Sequence, residues 1–407
     1  MKALQGKRII LGVCGGIAAY KSGLLVRALI RAGADVSVVM TAAAARFVTP
    51  LTFATLSGKP CLTDDDMFRA DASVSHVEAG RSADLIVVAP ATANTLAKLA
   101  HGFADNVLSA VLMASTCPVL LVPSMHVGMW TNPIVQDNVR RLPLDRYRVM
   151  APEVGELASG DHGPGRFPEI ADIVEEISFV LSPQDLVGRT IVVTAGPTAE
   201  PLDAVRVLTN PSSGRMGVEL VRAAWRRGAD VRLVLGPVAG EGCRLPADGR
   251  VRVTRVKTAS DMLVATREAL TGADALLMAA AVADERPCTP SERKLHKDEL
   301  PRQLVLEPTP DILTTLRPEL AGKVVLAFAA ETDDLLASGA AKLSRKGVDM
   351  LFANPVGQGR GFGTADNEGV LLDQEGNIEE APRQPKEDLA EWLLDRIATR
   401  LAACRGR

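Results

Sequence analysis

"RIILGVCGGIAAYK" (residues 8–21) sets the frame for the rest of the chain. Its first six residues form a short apolar run without polar alternation, as expected of a strand buried on both faces of a parallel sheet. Gly15 and Gly16 break the run and lead into a helical stretch that reaches Arg31. "AGADVSVVMT" (32–41) follows, a glycine helix stop and a second strand. "SADLIVVAPATAN" (82–94) and "CPVLLVPSM" (117–125) are further buried strands separated by helical segments. That alternation predicts a parallel sheet covered by helices on both faces.

The second half repeats the plan. "RTIVVTAGPT" (189–198) is a strand entering a glycine turn, and "SSGRMGVELVRAAWRRGADVRLVLGP" (212–237) is a loop, a helix and a strand. "RAGADVSVV" is echoed by "RRGADVRLV", and "SADLIVVAPATAN" by "GADALLMAAAVAD" (272–284). The expected fold is α/β: two doubly wound, mostly parallel-sheet, Rossmann-like domains, 1–185 and 186–407, meeting near "VLSPQDLVGRT" (180–190). A shared architecture is no argument for shared chemistry.

The 407 residues suit two such domains. With 47% hydrophobic and 23% charged residues and a net charge of −3, the composition is that of a soluble globular protein, without a basic footprint for nucleic acid or membranes. Six scattered cysteines form no CxxC, and none pairs with a histidine at ligand spacing. This speaks against a zinc site or disulfide framework and suits a reducing compartment. The basic start and apolar run of "KRIILGVCGGIAAY" superficially resemble a signal peptide, but bulky Val13 and the Gly15-Gly16 break oppose that reading. A cytoplasmic location is expected.

Ligands of such sheets bind at loops leaving the carboxyl ends of the strands. "GVCGGIAAYK" places glycines against a helix N-terminus, where free N–H groups favour phosphate; the same spacing equally serves a tight turn. Thr92 and Asn94 in "APATANTLAKLAHGFADN" (89–106) offer polar contacts to a flat ring. "TNPSSGRMG" (209–217) brings Asn210, Ser212, Ser213 and Gly214 to a helix start, as an anion site or simply an N-cap. "SERKLHKDE" (291–299) groups Arg293, Lys294 and Lys297; as a solvated run it would be ordinary, but "AKLSRK" (341–346) adds Lys342 and Lys346 for a polyphosphate clamp. In "LVPSMHVGMW" (121–130), His126 among Met125, Met129 and Trp130 is open to several roles: metal ligand, base, substrate contact or strand end.

"GVCGGIAAYK", "APATAN", "PSMHVGMW", "TAGPTAEPLD", "TNPSSGRMG", "AAAVAD", "PDIL" and "FAAET" occur in this order. Together they resemble the bifunctional phosphopantothenoylcysteine decarboxylase/phosphopantothenate–cysteine ligases of bacterial coenzyme A biosynthesis, over essentially the whole chain. For the first half the resemblance implies a flavodomain of the homo-oligomeric flavin-containing cysteine decarboxylase type, with FMN held partly between subunits of a trimer. Its contacts map to Gly15, Gly16, Ile17, Thr41, Ala91, Thr92 and Asn94. Loss of CO2 from a cysteinyl carboxylate would leave an unstabilised carbanion. Flavin therefore first oxidises the thiol carbon to a thioaldehyde and later returns the electrons. His76, in "ASVSHVEAG", matches the family's active-site histidine and would take the thiol proton.

Two departures stand out. The usual Pro-x-Met-Asn has His126 in place of asparagine, as in some members, implying a hydrogen bond to the cysteinyl carboxylate with Met125 and Met129 shaping the pocket. The flap, usually Ala-Cys-Gly-Asp-x-Gly-x-Gly-Arg, reads "ASGDHGPGR" (158–166), so Ser159 replaces the cysteine acid. A hydroxyl is a far poorer acid than a thiol of pKa ~8.5; His162, Asp161 or water would have to donate.

For the second half the resemblance implies ligation of 4′-phosphopantothenate to cysteine through an acyl-cytidylate formed from CTP with Mg2+. Asn210 would serve the acyl intermediate, Lys294 the triphosphate, and Ser212, Ser213 and Gly214 the substrate. Asp284, Pro310, Asp311, Ile312, Leu313, Phe328, Lys342 and Lys346 match the CTP pocket; no metal ligand is assigned. The Lys-x-Lys-Lys motif reads "KLHK" with His296 replacing a lysine, Thr309 stands for the usual asparagine, and Glu285 for a common aromatic. The expected assembly is flavodomain trimers linked by ligase-domain dimers, up to a dodecamer. The competing readings are a ligase or paralogue with an impaired decarboxylase half, or a non-catalytic flavin-binding subunit. An NAD-dependent oxidoreductase fits least, because GxGxxG is absent.

Overall fold

The computed structural model describes residues 2–68, 75–238, 244–246, 249–332, 334–357 and 359–404. The chain forms two compact units, 1–182 and 183–407.

The first unit is built on β1 (Arg8–Val13), β2 (Asp35–Met40), β3 (Leu85–Ala91), β4 (Val119–Pro123) and β5 (Tyr147–Val149), in the order β2-β1-β3-β4-β5. All four pairings are parallel. β3 and β4 are buried at every position, which explains their unbroken apolar runs. One face packs Leu25, Leu29, Phe53 and Ile173; the other packs Leu96, Leu108, Val111 and Leu112. Burying each such side chain contributes about 1.5–3 kcal/mol. Beyond the sheet, β6 (Glu153–Glu156) and β7 (His162–Arg166) form an antiparallel hairpin.

The second unit contains β8 (Thr190–Ala195), β9 (Ala199–Pro201), β10 (Val207–Thr209), β11 (Asp230–Leu235), β12 (Val251–Arg255), β13 (Ala275–Met278), β14 (Glu285–Pro287), β15 (Leu306–Pro308), β16 (Val324–Glu331), β17 (Met350–Pro355), β18 (Asp366–Asp373) and β19 (Ile378–Pro385). The main sheet runs β12-β11-β8-β13-β16-β17-β18-β19. Its six parallel strands have the 3-2-1-4-5-6 order of dinucleotide-binding sheets, and β18 and β19 extend one edge antiparallel. β9–β10 and β14–β15 are small antiparallel arms beyond the ends of β8 and β13. Arg226 is buried in the helix Arg215–Arg226 and meets Glu387 and Glu391 of the helix Lys386–Cys404. Arg227 meets Asp185 and Asp395. A buried guanidinium needs such partners, because losing one leaves an uncompensated charge. Among the described residues no helix is long and apolar enough to cross a membrane.

Candidate functional site

In the first unit the winding reverses between β1 and β3, and a ligand belongs outside the carboxyl ends of those two strands. A cavity of about 490 Å³ opens there, within the roughly 300–1,000 Å³ typical of small-molecule sites. Gly15, Gly16, Ile17, Tyr20 and Lys21 line it after β1, and Thr92 after β3. Ser124, Met125, His126 and Met129 line it after β4, and Ser159, Arg166 and Phe167 from the hairpin side. Thr41, Ala91 and Asn94 stand beside the cavity instead of lining it. The Thr41 hydroxyl accepts from the Ala44 N–H, Ala91 is buried in β3, and Asn94 is exposed on the helix Ala93–His101. His76, on the helix Ser75–Ser82, is also outside the lining; its Nδ1 is buried without a partner among the described residues. Residues 69–74 of its loop lie outside the described residues.

Gly15 is required by packing: a Cβ there would lie 2.4 Å from Ala43 Cβ and 2.8 Å from its carbonyl carbon. The helix Ala19–Arg31 starts without a side-chain cap; its Ala19 and Lys21 N–H groups donate to the Gly16 and Ala18 carbonyls (both 3.0 Å), and the positive end of its dipole favours an anion. Thr92 caps the next helix by accepting from Thr95 N–H at 3.3 Å.

The hairpin is pinned at its base, where the Gly165 carbonyl accepts from Met125 N–H (3.1 Å) and the Ser124 hydroxyl (3.3 Å). At its tip, His126 Nε2 meets Asp161 Oδ2 at 2.6 Å, and the Ser159 hydroxyl donates to the same oxygen at 2.9 Å. Gly128 N–H donates to His126 Nδ1 at 3.1 Å, which puts the proton of the neutral ring on Nε2. The hydrogen bonds from His126 and then Ser159 hold the Asp161 carboxyl below its usual range. Asp161 is thus a carboxylate at neutral pH and a poor proton donor, and the Ser159 hydroxyl is engaged with it.

In the second unit the corresponding reversal lies between β8 and β13. There Asn210 donates both amide hydrogens, to the Ala281 carbonyl (3.2 Å) and the Val282 carbonyl (3.1 Å). Gly214, not a serine, is the N-cap of the helix Arg215–Arg226, at φ +71°; Ser212 Oγ accepts from Gly214 N–H at 3.4 Å. Thr309 staples its arm to the loop after β13: its N–H donates to the Asp284 carbonyl, and its hydroxyl to the Ala283 carbonyl. Asp311 caps the short helix Ile312–Thr315, whose Ile312 and Leu313 are core side chains. Phe328 meets Phe352 edge-on at 5.7 Å. Lys342 pairs with Glu331 at 2.7 Å and Lys346 with Asp311 at 3.8 Å.

Lys294 sits in a clasped loop. The Asp203 carboxylate accepts from Leu295 N–H (3.2 Å), while Arg206 donates to the Leu295 carbonyl (3.2 Å). Burial opposes the Asp203 charge, but N–H donors from Arg206, Val205 and Leu295 and the Arg206 guanidinium prevail, taking its pKa to about 2. Of the expected cations, Arg293 is spent on a bidentate pair with Glu299 (2.9 and 2.6 Å). A larger open cavity of about 730 Å³ lies among Lys323, Asp373, Arg396 and Arg400. Arg400 there pairs with Asp373 and Glu375, and Arg396 with Glu379.

Residues 1–182 match the Flavoprotein family, and residues 186–401 match the DNA/pantothenate metabolism flavoprotein C-terminal domain. The chain is 42% identical over 98% of its length, and 98% of the relative's, to the coenzyme A biosynthesis bifunctional protein CoaBC of Mycobacterium tuberculosis. It is 40% identical to that of Vibrio cholerae, over 98% of this chain and 99% of the relative. The chain belongs to the CoaBC family. A solved C-terminal domain of a CoaBC protein is 33% identical, covering 54% of this chain and 99% of that one, with a TM-score of 0.46.

As a CoaBC protein the chain is a bifunctional enzyme of coenzyme A biosynthesis, with decarboxylase and phosphopantothenate–cysteine ligase activities. The match spans both halves, so a ligase-only reading is not favoured. Sequence reading had not singled out Tyr20, Lys21 and Arg166, which end motifs already quoted, nor Ser124 and Phe167. It also missed Asp203 and Arg206, whose signal was a buried acid followed three residues on by an arginine.

Proposed function

We propose that the second unit joins 4′-phosphopantothenate to L-cysteine at the expense of CTP, and that the first decarboxylates the resulting 4′-phosphopantothenoylcysteine to 4′-phosphopantetheine with FMN. The observation that carries this reading is the placement of the motif residues at the winding reversal of each sheet. In the first unit, Gly15 and Gly16 and the uncapped helix start would hold the phosphate of FMN, while Ile17, Met125, Met129 and Phe167 supply apolar surface for its ring. Bound FMN supplies a reversible two-electron acceptor. His126 offers its Nε2–H to a carboxylate. Since Ser159 and Asp161 are not set up as acids, the last proton comes from water or from the Lys21 ammonium.

In the second unit, Asn210 keeps only its carbonyl oxygen for the acyl group. The start of the helix Arg215–Arg226, after Ser212, Ser213 and Gly214, receives an anionic end of the substrate. Lys294, Lys342 and Lys346 neutralise the triphosphate, the last two after exchanging Glu331 and Asp311 for phosphate oxygens. Asp284, Pro310, Asp311 and Phe328, with the backbone of Ile312 and Leu313, form the cytidine side. Among the described residues no three His, Cys, Asp or Glu side chains form a metal cluster; Mg2+ carried by a triphosphate needs only one or two carboxylates. His76 outside its own chain's cavity, and Ile17 and Tyr20 at 62% and 59% exposure beside it, support a flavodomain oligomer in which a neighbour's His76 completes the site.

The test is to supply 4′-phosphopantothenate, cysteine, CTP and Mg2+ and follow products by mass spectrometry. Pyrophosphate release, phosphopantothenoylcysteine and then phosphopantetheine are expected. Accumulation of the undecarboxylated intermediate by a protein that retains FMN would overturn the first-unit assignment.

A further inference from the structure

The His126–Asp161 pair places a carboxylate of the protein on an N–H that lines the cavity. The 2.6 Å contact joins the ring to the hairpin tip, and Ser159 is held to the same Asp161 oxygen. Both ring nitrogens are engaged, Nδ1 by Gly128 and Nε2 by Asp161, so no nitrogen of His126 is left for a ligand while the tip is closed. An N–H that donates to one carboxylate will donate to another of the same chemistry. The pair is also solvated, with side chains 44% and 56% exposed, and an exposed polar contact of that kind is weak enough to exchange. The hairpin is held at its base through Gly165, and its tip is a self-contained turn, closed by Leu157 N–H to the Asp161 carbonyl (2.8 Å) and passing through Gly160 at φ +87°.

Resting on the decarboxylase reading above, we propose that Asp161 stands in for the substrate carboxylate. It caps His126 in the free enzyme, yields the Nε2–H to incoming substrate, and reclaims it when CO2 leaves. In the decarboxylation step the Cα–carboxylate bond of the oxidised, thioaldehyde form breaks. Its electron pair becomes the Cα=Cβ bond, the sulfur takes the displaced pair as an enethiolate, and CO2 departs. His126 is then without a carboxylate, and the return of Asp161 draws the tip, with Ser159, over the product before its two electrons and two protons are delivered. Asp161 is a positioning residue: it acts through His126 and times closure to the loss of the group it mimics.

The test uses the full-length flavoprotein and two unreactive probes, 4′-phosphopantothenoylserine, which has no thiol to oxidise, and its decarboxylated ethanolamine counterpart. Binding is read from the perturbation of the flavin visible spectrum, which excludes binding at the ligase site. Asp161→Ala is expected to bind the carboxylate probe about threefold to fivefold more tightly and the decarboxylated probe with unchanged affinity, because Asp161 holds the Nε2–H both before and after that probe binds. Asp161→Asn, which keeps an acceptor for both donors, should shift the carboxylate probe in the same sense but less. A merely structural role would weaken both probes together; that result, or an unchanged affinity for the carboxylate probe, overturns the proposal. A wild-type protein that binds neither probe removes the decarboxylase reading and the proposal with it, and is distinguishable from the other failures.

Discussion

Asn210 donates to the Val282 carbonyl, a residue 72 positions further along the chain, and its second amide hydrogen goes to Ala281. The loop after β10 and the loop after β13 are thereby tied together, and the side chain faces the remaining space with only an acceptor. Asn210→Asp keeps the shape but sets a carboxylate against two carbonyl oxygens, at about 1–3 kcal/mol for each lost partner. Ligation should fall about a hundredfold and decarboxylation stay unaffected. CTP-dependent pyrophosphate release and CO2 release, measured on the same preparation, check this.

Gly15 offers the converse separation. A methyl group at this position meets the Ala43 Cβ at 2.4 Å and its carbonyl carbon at 2.8 Å, atoms that cannot swing away like the end of a long side chain. Gly15→Ala should shift the loop that would carry the flavin phosphate, so that the protein purifies with little flavin while CTP-dependent ligation persists. Flavin absorbance per protein and pyrophosphate release are the two readouts. Equal flavin content in both proteins would count against this loop as the phosphate site.

The two loops show how much was legible. Buried parallel strands announce themselves as apolar runs, so "RIILGV", "DLIVVA" and "TIVVTA" locate both sheets, and the glycine turn after β1 locates the first cavity. Local sequence could not show where polar partners come from. Arg293 reads as a free cation until Glu299 is seen closing on it, and nothing local to His126 shows that Asp161, 35 positions away, sits on its Nε2. Ser212 or Ser213 reads as an anion contact or a cap, yet the N-cap is Gly214, whose φ of +71° is a left-handed conformation that favours glycine. These are pairings set by tertiary structure, and no local pattern encodes them.

Asp203 gives a pH-dependent prediction. Its carboxyl falls from 3.8 to about 2 in the folded chain, so the unfolded chain binds the proton first as pH drops. The stabilisation is therefore full above about pH 4 and is lost as pH falls through about 2. The difference in urea midpoint between wild type and Asp203→Asn should be constant above pH 4 and shrink below it. At neutral pH the same variant should raise the KM for CTP more than it lowers kcat, because the loop bearing Lys294 loses its Leu295 anchor. A midpoint difference that does not change with pH would show that the carboxylate is not what the clasp requires.

His126 allows two different losses to be told apart. Its ring caps the helix Val127–Trp130 by accepting from Gly128 and reaches Asp161 with the other nitrogen. His126→Leu removes both contacts and leaves Gly128 N–H without its acceptor, so decarboxylation should fall at least about a hundredfold. His126→Asn retains an amide that can donate to a carboxylate and a carbonyl oxygen that can cap the helix, and should stay within about tenfold of wild type. Flavin content should be unchanged in both, since the glycine loop and the start of the helix Ala19–Arg31 are untouched. Rates of CO2 release at saturating substrate, with flavin absorbance as the control, decide the matter. If the leucine and asparagine variants fall equally, the imidazole is needed for its own proton chemistry and not as a hydrogen-bond donor to carboxylate.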